Sequence, residues 1–256
     1  MNSWPKPFIP VLIDHDLPPL KIIDSSAGLI NFAESKEFRM YVCGITPYDA
    51  THLGHAATYL AFDLIYRYQF LSGKNIEFVE NITDVDDPLL ERANRDKLDW
   101  SELADSQINL FKSDMSALRV IPPDHFIKVT ESLSIIEDFI KRLDENGYLY
   151  EIEHDYYFAV EKFLNDLPIP VDEAVKVFSE RGGDPHRVGK KHKLDPLVWS
   201  AHVGNEPGWE SSFGFGRPGW HVECTAIACH YLDDASSDPI VSLKGGGSDL
   251  IFPHHF

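Results

Sequence analysis

The chain contains 256 residues, and its 41 acidic against 23 basic side chains give a formal charge of −18. This length fits one large domain or one domain with an insertion, and a hydrophobic content of 43% excludes general disorder. No apolar stretch approaches the roughly 18 residues that span a bilayer. The N-terminus lacks the basic and apolar segments of a secretory signal. We therefore expect a soluble, cytoplasmic protein.

The cysteine content and the net charge further limit the class of protein to which the chain can belong. Cys43, Cys224 and Cys229 are too few for a disulfide framework in a chain of this length, and they fit a reducing cytosol, where thiols serve as ligands or core residues. The acidic balance repels phosphate backbones, although it is compatible with a local basic patch. We expect a monomeric α/β protein that uses neither a membrane nor a nucleic acid as its partner.

The first predicted elements form a βαβ unit. Phe38–Cys43 is typical of a strand, and His55–Phe70 of a helix with a broad apolar face that stops at Ser72-Gly73. Asn75–Ile82 alternates like a second strand. A strand, a helix and a strand in this order predict parallel pairing with a right-handed crossover.

The rest of the chain continues the α/β pattern. A β-hairpin of Tyr148–Ile152 and Tyr156–Val160 is predicted as part of an insertion at about residues 119–170, between the halves of the parallel sheet. The other predicted elements are, in chain order, a helix over Pro88–Leu118, a helix over Glu131–Asn146, a short helix ending near Arg181–Gly183, a helix over Leu194–Val203 in an otherwise loop-rich segment 186–219, a helix over Trp220–Leu232 and a parallel strand over Ile240–Leu243.

His52-Leu53-Gly54-His55 lies between the first strand and the helix. Two imidazoles three residues apart at a helix N-terminus, beside a glycine, suit the binding of phosphate groups. Fixed donors there would stabilise the charge that builds on an α-phosphate during nucleotidyl transfer. The simpler alternative is that two polar residues cap the helix. The surrounding βαβ frame favours the phosphate site.

Two cysteines and a histidine form a candidate metal site. Cys43 ends the first strand, Cys224 lies in the helix that starts at Trp220, and His254 follows a glycine-rich loop. Ligands collect at the carboxyl ends of parallel strands, and two thiolates with one imidazole suit Zn²⁺ with a fourth position open. Buried, unreactive thiols are the competing interpretation, which the spacing alone favours.

Other segments carry weaker signals. The acids after Asn81–Thr83 suit either Mg²⁺ or the cap of the next helix, and capping by Asp86 or Asp87 is the better supported. Gly245–Asp249 is either an open backbone for ribose or adenine, or a flexible turn. Cys229 is expected in core packing, and His255 near either metal or nucleotide. Glu180–Pro185 fits a turn or an acceptor-binding loop.

These motifs resemble, in order, those of the catalytic domain of class I cysteinyl-tRNA synthetases, from about residue 20 to the end. The residues that carry the resemblance are Tyr41–Gly44, Tyr48-Asp49, His52–His55, Ile82–Asp87, Gly219–Cys224 and Gly245–His255. Within that superfamily the chain is more similar to the mycothiol cysteine ligases, which join cysteine to glucosaminyl-inositol. The segments that favour the ligases are Ile45–Thr51, Ala56–Thr58, Glu180–Pro185 and Leu194–Trp199.

The resemblance implies a Rossmann-like parallel sheet, with residues 1–256 forming an incomplete catalytic domain, and a two-step reaction. ATP with Mg²⁺ and cysteine would give cysteinyl-adenylate and pyrophosphate, and the amine of glucosaminyl-inositol would then attack the activated carbonyl and release AMP. Cys43, Cys224 and His254 would hold one Zn²⁺, whose open position takes the substrate thiolate and so rejects serine.

The same resemblance assigns roles to individual positions. His52 and His55 would stabilise the phosphate transition state. The cysteinyl-adenylate would be bound by Cys43, Gly44, Ile45, Thr46, Thr58, Asn81, Ile82, Thr83, Trp220, Gly247, Ser248 and Asp249.

Members of this family continue beyond the histidine pair with a glutamate near the zinc site, a mobile Lys-Met-Ser-Lys-Ser loop and a helical domain. We therefore expect this chain to be an N-terminal segment that alone binds metal poorly and turns over slowly or not at all.

Two alternatives to the ligase function stay open. A cysteinyl-tRNA synthetase would transfer cysteine to tRNA, whereas a non-catalytic zinc- or nucleotide-binding module would not support cysteine-dependent pyrophosphate exchange.

Overall fold

The computed structural model describes residues 1–10, 17–25, 28–32, 35–167, 169–233, 241–250, 252 and 254. The chain divides into two compact units. Unit 1 contains Met1–Val129 and Ala228–Gly247, and unit 2 contains Thr130–Ile227 and Ser248–Phe256. In the described part of the chain, no helix combines the length and the apolar character needed to cross a bilayer.

The described residues form ten strands and six α-helices. The strands are β1 (Lys21–Asp24), β2 (Gly28–Asn31), β3 (Glu37–Val42), β4 (Asn75–Ile82), β5 (His125–Lys128), β6 (Leu149–Ile152), β7 (Asp155–Phe158), β8 (Leu197–Ala201), β9 (Gly216–Pro218) and β10 (Leu243–Gly245). The helices are α1 (Leu53–Leu71), α2 (Asp87–Asp96), α3 (Trp100–Ala117), α4 (Leu133–Glu145), α5 (Val171–Glu180) and α6 (Trp220–Leu232).

Unit 1 is built on a parallel sheet with the strand order β10-β3-β4-β5. Val42 at the end of β3 pairs with Glu80 of β4 on one side and with Gly245 of β10 on the other. The predicted parallel pairing of the first two strands is therefore confirmed. Because all four strands run in one direction, their carboxyl ends share one edge, which is where ligands of such sheets bind.

One face of this sheet is covered by α1 and α3. Strand residues two apart point to the same face, and Phe38, Met40 and Phe78 accordingly join one buried core. The helices contribute to that core Tyr59, Tyr66, Ile108, Phe111 and Met115. The N-terminal segment closes it, since the indole of Trp4 donates a hydrogen bond to the carbonyl of Val120 (2.8 Å).

The single helix predicted over Pro88–Leu118 is wrong, because the structure contains two helices there. Lys97 has left-handed backbone angles (φ 56°, ψ 43°) and ends α2. Asp99 then begins α3, since its carboxylate accepts hydrogen bonds from the N–H groups of Ser101 (2.9 Å) and Glu102 (3.0 Å). A turn of only a few residues without glycine or proline gave no break in the apolar pattern.

The helix predicted over Leu194–Val203 is also wrong, because that segment contains strand β8. Val198 and Trp199 are buried, and β8 pairs antiparallel with β7 and β9. The prediction did not include β1, β2, β5 and β9, which have three or four residues each. The last parallel strand lies later than expected: β10 begins at Leu243, and Ile240 is outside the described residues.

Unit 2 is built on an antiparallel sheet with the order β6-β7-β8-β9. The predicted hairpin is confirmed as β6 and β7, with Leu149 opposite Phe158. Buried Asp195 ties the following loop to this hairpin, because its carboxylate accepts from the Tyr150 hydroxyl (2.5 Å), Val160 N–H (2.9 Å) and His192 N–H (2.8 Å). The helices predicted at α4, α5 and α6 are confirmed.

Candidate functional site

The loop of residues 43–52 between β3 and α1, here called the β3–α1 loop, is tied to the neighbouring strand ends. The N–H of Cys43 donates to the carbonyl of Gly245 on β10 (2.9 Å), and the N–H of Thr83 donates to the carbonyl of Ile45 (3.1 Å). The first residues of the loop therefore extend the sheet beyond its last ladder pair. They lie at the carboxyl edge of the sheet, as the sequence predicted for Cys43.

Asn81 joins the ends of β3 and β4 through a buried amide. Its Oδ1 accepts from the Tyr41 hydroxyl (2.8 Å) and from Gly44 N–H (3.2 Å), and its Nδ2 donates to Thr83 Oγ1 (3.3 Å). Both acceptor positions of the oxygen are thus used, which fixes the orientation of the amide. Asn81 and Thr83 are 1% and 4% exposed, so this part of unit 1 is held rigidly.

Gly44 lies too close to β4 for any side chain. A Cβ at this position would be 1.6 Å from the backbone oxygen of Asn81. The approach is what brings Gly44 N–H to the Asn81 amide. The preceding carbonyl, that of Cys43, accepts a hydrogen bond from the Tyr59 hydroxyl of α1 (3.2 Å). The backbone of Cys43-Gly44 is therefore held from both the sheet and the helix.

His52 and His55 cap the N-terminus of α1 reciprocally. Nδ1 of His52 accepts from Gly54 N–H (3.0 Å), and Nδ1 of His55 accepts from His52 N–H (3.3 Å). The capping interpretation is confirmed. Because both Nδ1 atoms accept, a neutral ring carries its proton on Nε2. The two rings lie 4.1 Å apart, so two Nε2 donors stand side by side at the positive end of the helix dipole, an arrangement that suits an anion.

Four other predicted positions in unit 1 differ in how far they are exposed. Thr58 is half-buried, and its hydroxyl donates to the carbonyl of Gly54 (3.1 Å). Ile82 is fully buried in the apolar core, so a contact with a ligand at this position falls to its backbone. Thr46 and Gly247 are half-buried.

Glu80 places a carboxyl group in the interior of unit 1. It is 1% exposed, and within the described residues its Oε1 has no hydrogen-bond partner. Burial raises the pKa of Glu80 well above its ordinary value, which favours the neutral carboxyl. Burial, with the nearby Glu80, also raises the pKa of Tyr59. The Tyr59 phenol therefore remains protonated as the donor to Cys43.

The acidic run after Thr83 supports the structure of unit 1. Asp86 is the N-cap of α2, its Oδ1 accepting from Asp87 N–H (2.8 Å), as predicted. Asp84 is 2% exposed and lies 3.8 Å from the Lys128 ammonium. The capping interpretation is thus confirmed for Asp86.

In unit 2, Cys224 and His254 form a buried pair. Sγ of Cys224 lies 2.9 Å from Nε2 of His254, and the two residues are 1% and 3% exposed. Nδ1 of His254 lies 3.0 Å from Nδ1 of His221, which is one helical turn before Cys224 on α6. The Trp220 ring lies 4.7 Å from that of His254. A thiol and an imidazole at this distance are either hydrogen-bonded or ready to share a metal ion.

A cavity of about 380 Å³ in unit 2 has His221 and His254 in its lining. Most of its wall is apolar and comes from α4, β7, the 3-10 turn Glu161–Asp166 and β8.

The remaining predicted site residues follow β10 in the sequence or lie at the end of α5. Ser248 is exposed in a 3-10 turn, while the Asp249 side chain and all of His255 lie outside the described residues. Residues 180–185 contain the end of α5 and the turn after it.

Sequence reasoning missed four residues that support these groups. Tyr41 lies two positions before Cys43 on the same strand face, and its hydroxyl is 3.9 Å from Cys43 Sγ. The strand period would have indicated that contact. The helix period would likewise have placed His221 beside Cys224. Nothing in the local pattern indicated Tyr59 or Glu80, whose contacts depend on how α1 packs on the sheet.

The comparisons with known proteins identify the family. The family model described as "tRNA synthetases class I (C) catalytic domain" matches residues 29–256. Proteins named L-cysteine:1D-myo-inositol 2-amino-2-deoxy-alpha-D-glucopyranoside ligase are similar along the whole chain. They are 50% identical in Thermomonospora curvata, 51% in Thermobispora bispora and 48% in Frankia casuarinae. The chain covers 62%, 63% and 54% of these relatives, respectively, and thus only part of their length.

Among solved structures, Mycobacterium tuberculosis methionyl-tRNA synthetase in complex with methionyl-adenylate matches with a TM-score of 0.63 and 15% identity, covering 85% of this chain and 52% of that chain. At this identity the likeness shows the fold alone, and it confirms the predicted class I synthetase α/β fold. Since the family match extends over residues 29–256, the chain belongs to the class I (C) tRNA synthetase catalytic-domain family.

Proposed function

We propose that this chain is the catalytic domain of an ATP-dependent ligase that joins L-cysteine to glucosaminyl-inositol through a cysteinyl-adenylate. The observation that supports this most is the identity of about 50% along the whole chain with relatives that carry that ligase name. The same relatives, and three cysteines that form no disulfide, support a place in cytoplasmic mycothiol synthesis. A monomer remains our expectation.

The adenylation step would use the carboxyl edge of the sheet in unit 1. The paired Nε2 donors of His52 and His55 suit the α-phosphate, where negative charge grows as the cysteine carboxylate attacks and pyrophosphate leaves. The fixed backbone of the β3–α1 loop, together with Asn81 and Thr83, would hold the adenylate. Because these groups are already locked by their hydrogen bonds, little ordering is required when the ligand arrives.

Cys43, Cys224 and His254 would hold one Zn²⁺. The donor chemistry fits, since all three are buried, and the Cys224 thiol and the His254 imidazole already lie 2.9 Å apart. When bound, the metal supplies a position that a thiolate fills far better than a hydroxyl, which would separate cysteine from serine. Trp220, beside the His254 ring, would bound the pocket for the amino acid.

The metal assignment predicts a specific pattern among cysteine variants. Cys43→Ser and Cys224→Ser should each lower bound zinc several-fold relative to the unmodified chain, because each removes one soft ligand. Cys229→Ser is the matched control and should retain it. Titration with Co²⁺, followed by its thiolate-to-metal absorption, measures the affinity and also detects the weak binding expected of this segment. Equal affinity in all four proteins would exclude this ligand set.

The function is tested by binding and transfer assays. The chain should bind cysteinyl-sulfamoyl-adenosine, an adenylate analogue, and should bind its seryl counterpart more weakly. Cysteine-dependent pyrophosphate exchange is measured first, with the full-length Thermomonospora curvata relative as a reference. Labelled cysteine is then offered to each protein with glucosaminyl-inositol or with tRNA as the acceptor. Transfer to tRNA would favour the synthetase alternative. Failure to bind the analogue would overturn the proposal.

A further inference from the structure

The exposed tip of the β3–α1 loop is attached to a helix outside the βαβ unit. Arg92, in the middle of α2, donates from Nη1 to the carbonyl of Tyr48, and the same nitrogen lies 3.1 Å from Asp49 Oδ1. Its Nε lies 3.4 Å from Asp96, one turn later on α2. One guanidinium group therefore joins the loop tip to the helix.

Hydrogen bonds, rather than burial, define the shape of this tip. Tyr48, Asp49 and Ala50 are all exposed. Within the tip, Tyr48 N–H donates to the carbonyl of Thr46 (2.8 Å), and Ala50 N–H donates to Asp49 Oδ1 (2.8 Å). Asp49 Oδ1 thus accepts a hydrogen bond within the turn and also contacts Arg92. Farther along, the hydroxyl of Thr51 donates to Asp114 of α3.

The tip connects two groups of proposed site residues. Residues 43–46 precede it, and His52 with the start of α1 follows it. A displacement of the tip would move both groups. Small misplacements of binding groups are costly in sites that work by positioning.

We propose that Arg92 is a positioning residue, which holds Tyr48 and Asp49 so that the β3–α1 loop keeps the geometry that binds the cysteinyl-adenylate. This inference rests on the proposed function. The planar fork of arginine can serve a carbonyl, a loop carboxylate and a helix carboxylate together, which the single ammonium of lysine cannot reproduce in the same geometry.

If Arg92 only stabilised the fold, its removal would mainly lower the melting temperature. The Asp49 side chain is 71% exposed and that of Arg92 is 24% exposed. Ion pairs as accessible as this one add little to the stability of a fold. Removal of the Arg92 guanidinium should therefore alter the loop and ligand binding much more than the melting temperature.

The chain offers a matched control on the same helix. Arg95 pairs with the same carboxylate, Asp96 (2.7 Å), but its side chain is 70% exposed. We compare the unmodified chain with Arg92→Ala, Arg92→Lys and Arg95→Ala. Calorimetry gives the affinity for cysteinyl-sulfamoyl-adenosine, hydrogen exchange reports the amides of residues 46–52, and thermal unfolding reports stability.

Arg92→Ala should weaken analogue binding by about tenfold or more, because a small displacement of the loop is costly in a site that works by positioning. It should also speed amide exchange in residues 46–52 at an unchanged melting temperature. Arg92→Lys should be weakened as well, and Arg95→Ala should match the unmodified chain. Unchanged affinity in Arg92→Ala would overturn the inference while the proposed function stands, as would equal losses in Arg92→Ala and Arg95→Ala. An unmodified chain that binds no analogue would overturn the proposed function itself, and this inference with it.

Discussion

Gly44 is the residue at which the backbone of the loop and that of β4 come closest. Replacement by alanine would place a methyl group 1.6 Å from the backbone oxygen of Asn81 and 2.8 Å from its carbonyl carbon, so the backbone itself would have to move. We expect Gly44→Ala to lower the free energy of unfolding by about 3 kcal/mol or more. Binding of the adenylate analogue should be lost as well, because the Asn81 hydrogen bonds would break. Urea unfolding and calorimetry measure the two effects.

The control for this change is a glycine with space around it. Gly73 has a positive φ of 79°, and a methyl group added there would meet no atom within 4 Å. Gly73→Ala should therefore cost only the roughly 1 kcal/mol of left-handed backbone and should leave analogue binding intact. If the two variants were equally stable and bound equally well, the close approach at Gly44 would not be what holds the site.

Glu80 makes the stability of unit 1 depend on pH in an unusual direction. Because its pKa is raised in the folded protein, the unfolded chain releases this proton at a lower pH, near an ordinary value of about 4.3. Above that pH the unfolded state binds fewer protons than the native state. The contribution of Glu80 to the free energy of unfolding therefore falls as pH rises, by up to about 1.4 kcal/mol per pH unit, until the folded pKa is reached.

Glu80→Gln removes this proton release and keeps the shape of the side chain. We expect the variant to be more stable than the unmodified chain at pH 8 and to differ least near pH 4. Urea unfolding across that range measures the difference. Glu77→Gln is the control, because Glu77 lies on the same strand with a 45% exposed side chain. A stability gain that is independent of pH would show that Glu80 is not held neutral by burial.

At the scale of elements, the sequence predicts long elements and misses brief ones. The eight-residue strand β4 and the thirteen-residue helix α6 match their predicted bounds, and each is long enough to be recognised as one element. The break between α2 and α3 is only Lys97–Asp99, and a left-handed lysine carries no sequence signal. β8 is five residues long and depends on pairing with β7 and β9, which no local pattern contains.

The same reasoning applies to the candidate site. The histidine cap, Cys43 and Asn81 were predictable because they lie in short motifs at the end of a strand or the start of a helix. Arg92 and Tyr59 reach the β3–α1 loop only after α1 and α2 have packed. Residues that reach a loop only through the packing of helices are therefore the part of the site that sequence patterns leave out.

The N-cap residue Asp99 provides a test of how much the start of α3 contributes to the stability of the protein. Asp99→Ala removes the acceptor for two backbone N–H groups and should lower the free energy of unfolding by about 1 kcal/mol. Asp138→Ala on α4 is the control. The Asp138 side chain is 75% exposed and 3.4 Å from Lys141, so its loss should have little effect. If Asp99→Ala were as harmless as the control in urea unfolding, α3 would not depend on this cap.

At the scale of the whole molecule, the net charge bears on whether tRNA or an amino sugar accepts the cysteine. The formal charge of −18 opposes a polyanion at long range. The most basic segment, residues 181–193, uses several of its cations within unit 2. Arg187 lies 3.1 Å from Glu153 and 3.2 Å from Asp155, and Lys191 lies over the Tyr150 ring at 4.5 Å. Burial also lowers the pKa of Lys190. An amino sugar carries no phosphate and meets none of the repulsion that tRNA would.

This charge distribution predicts that the chain binds tRNA no more tightly than a non-specific site, with a dissociation constant of about 10⁻⁶ M or weaker at physiological salt. Fluorescence anisotropy with labelled tRNA at about 0.05 and 0.15 M salt measures affinity and its salt slope, since each phosphate contact adds nearly one unit to that slope. Lys191→Glu is the internal check, because it should change nothing when no cationic site is in use. Saturable binding at nanomolar tRNA that Lys191→Glu abolishes would mean that residues 181–193 form a nucleic-acid site despite the overall charge, and would favour the synthetase alternative over the ligase.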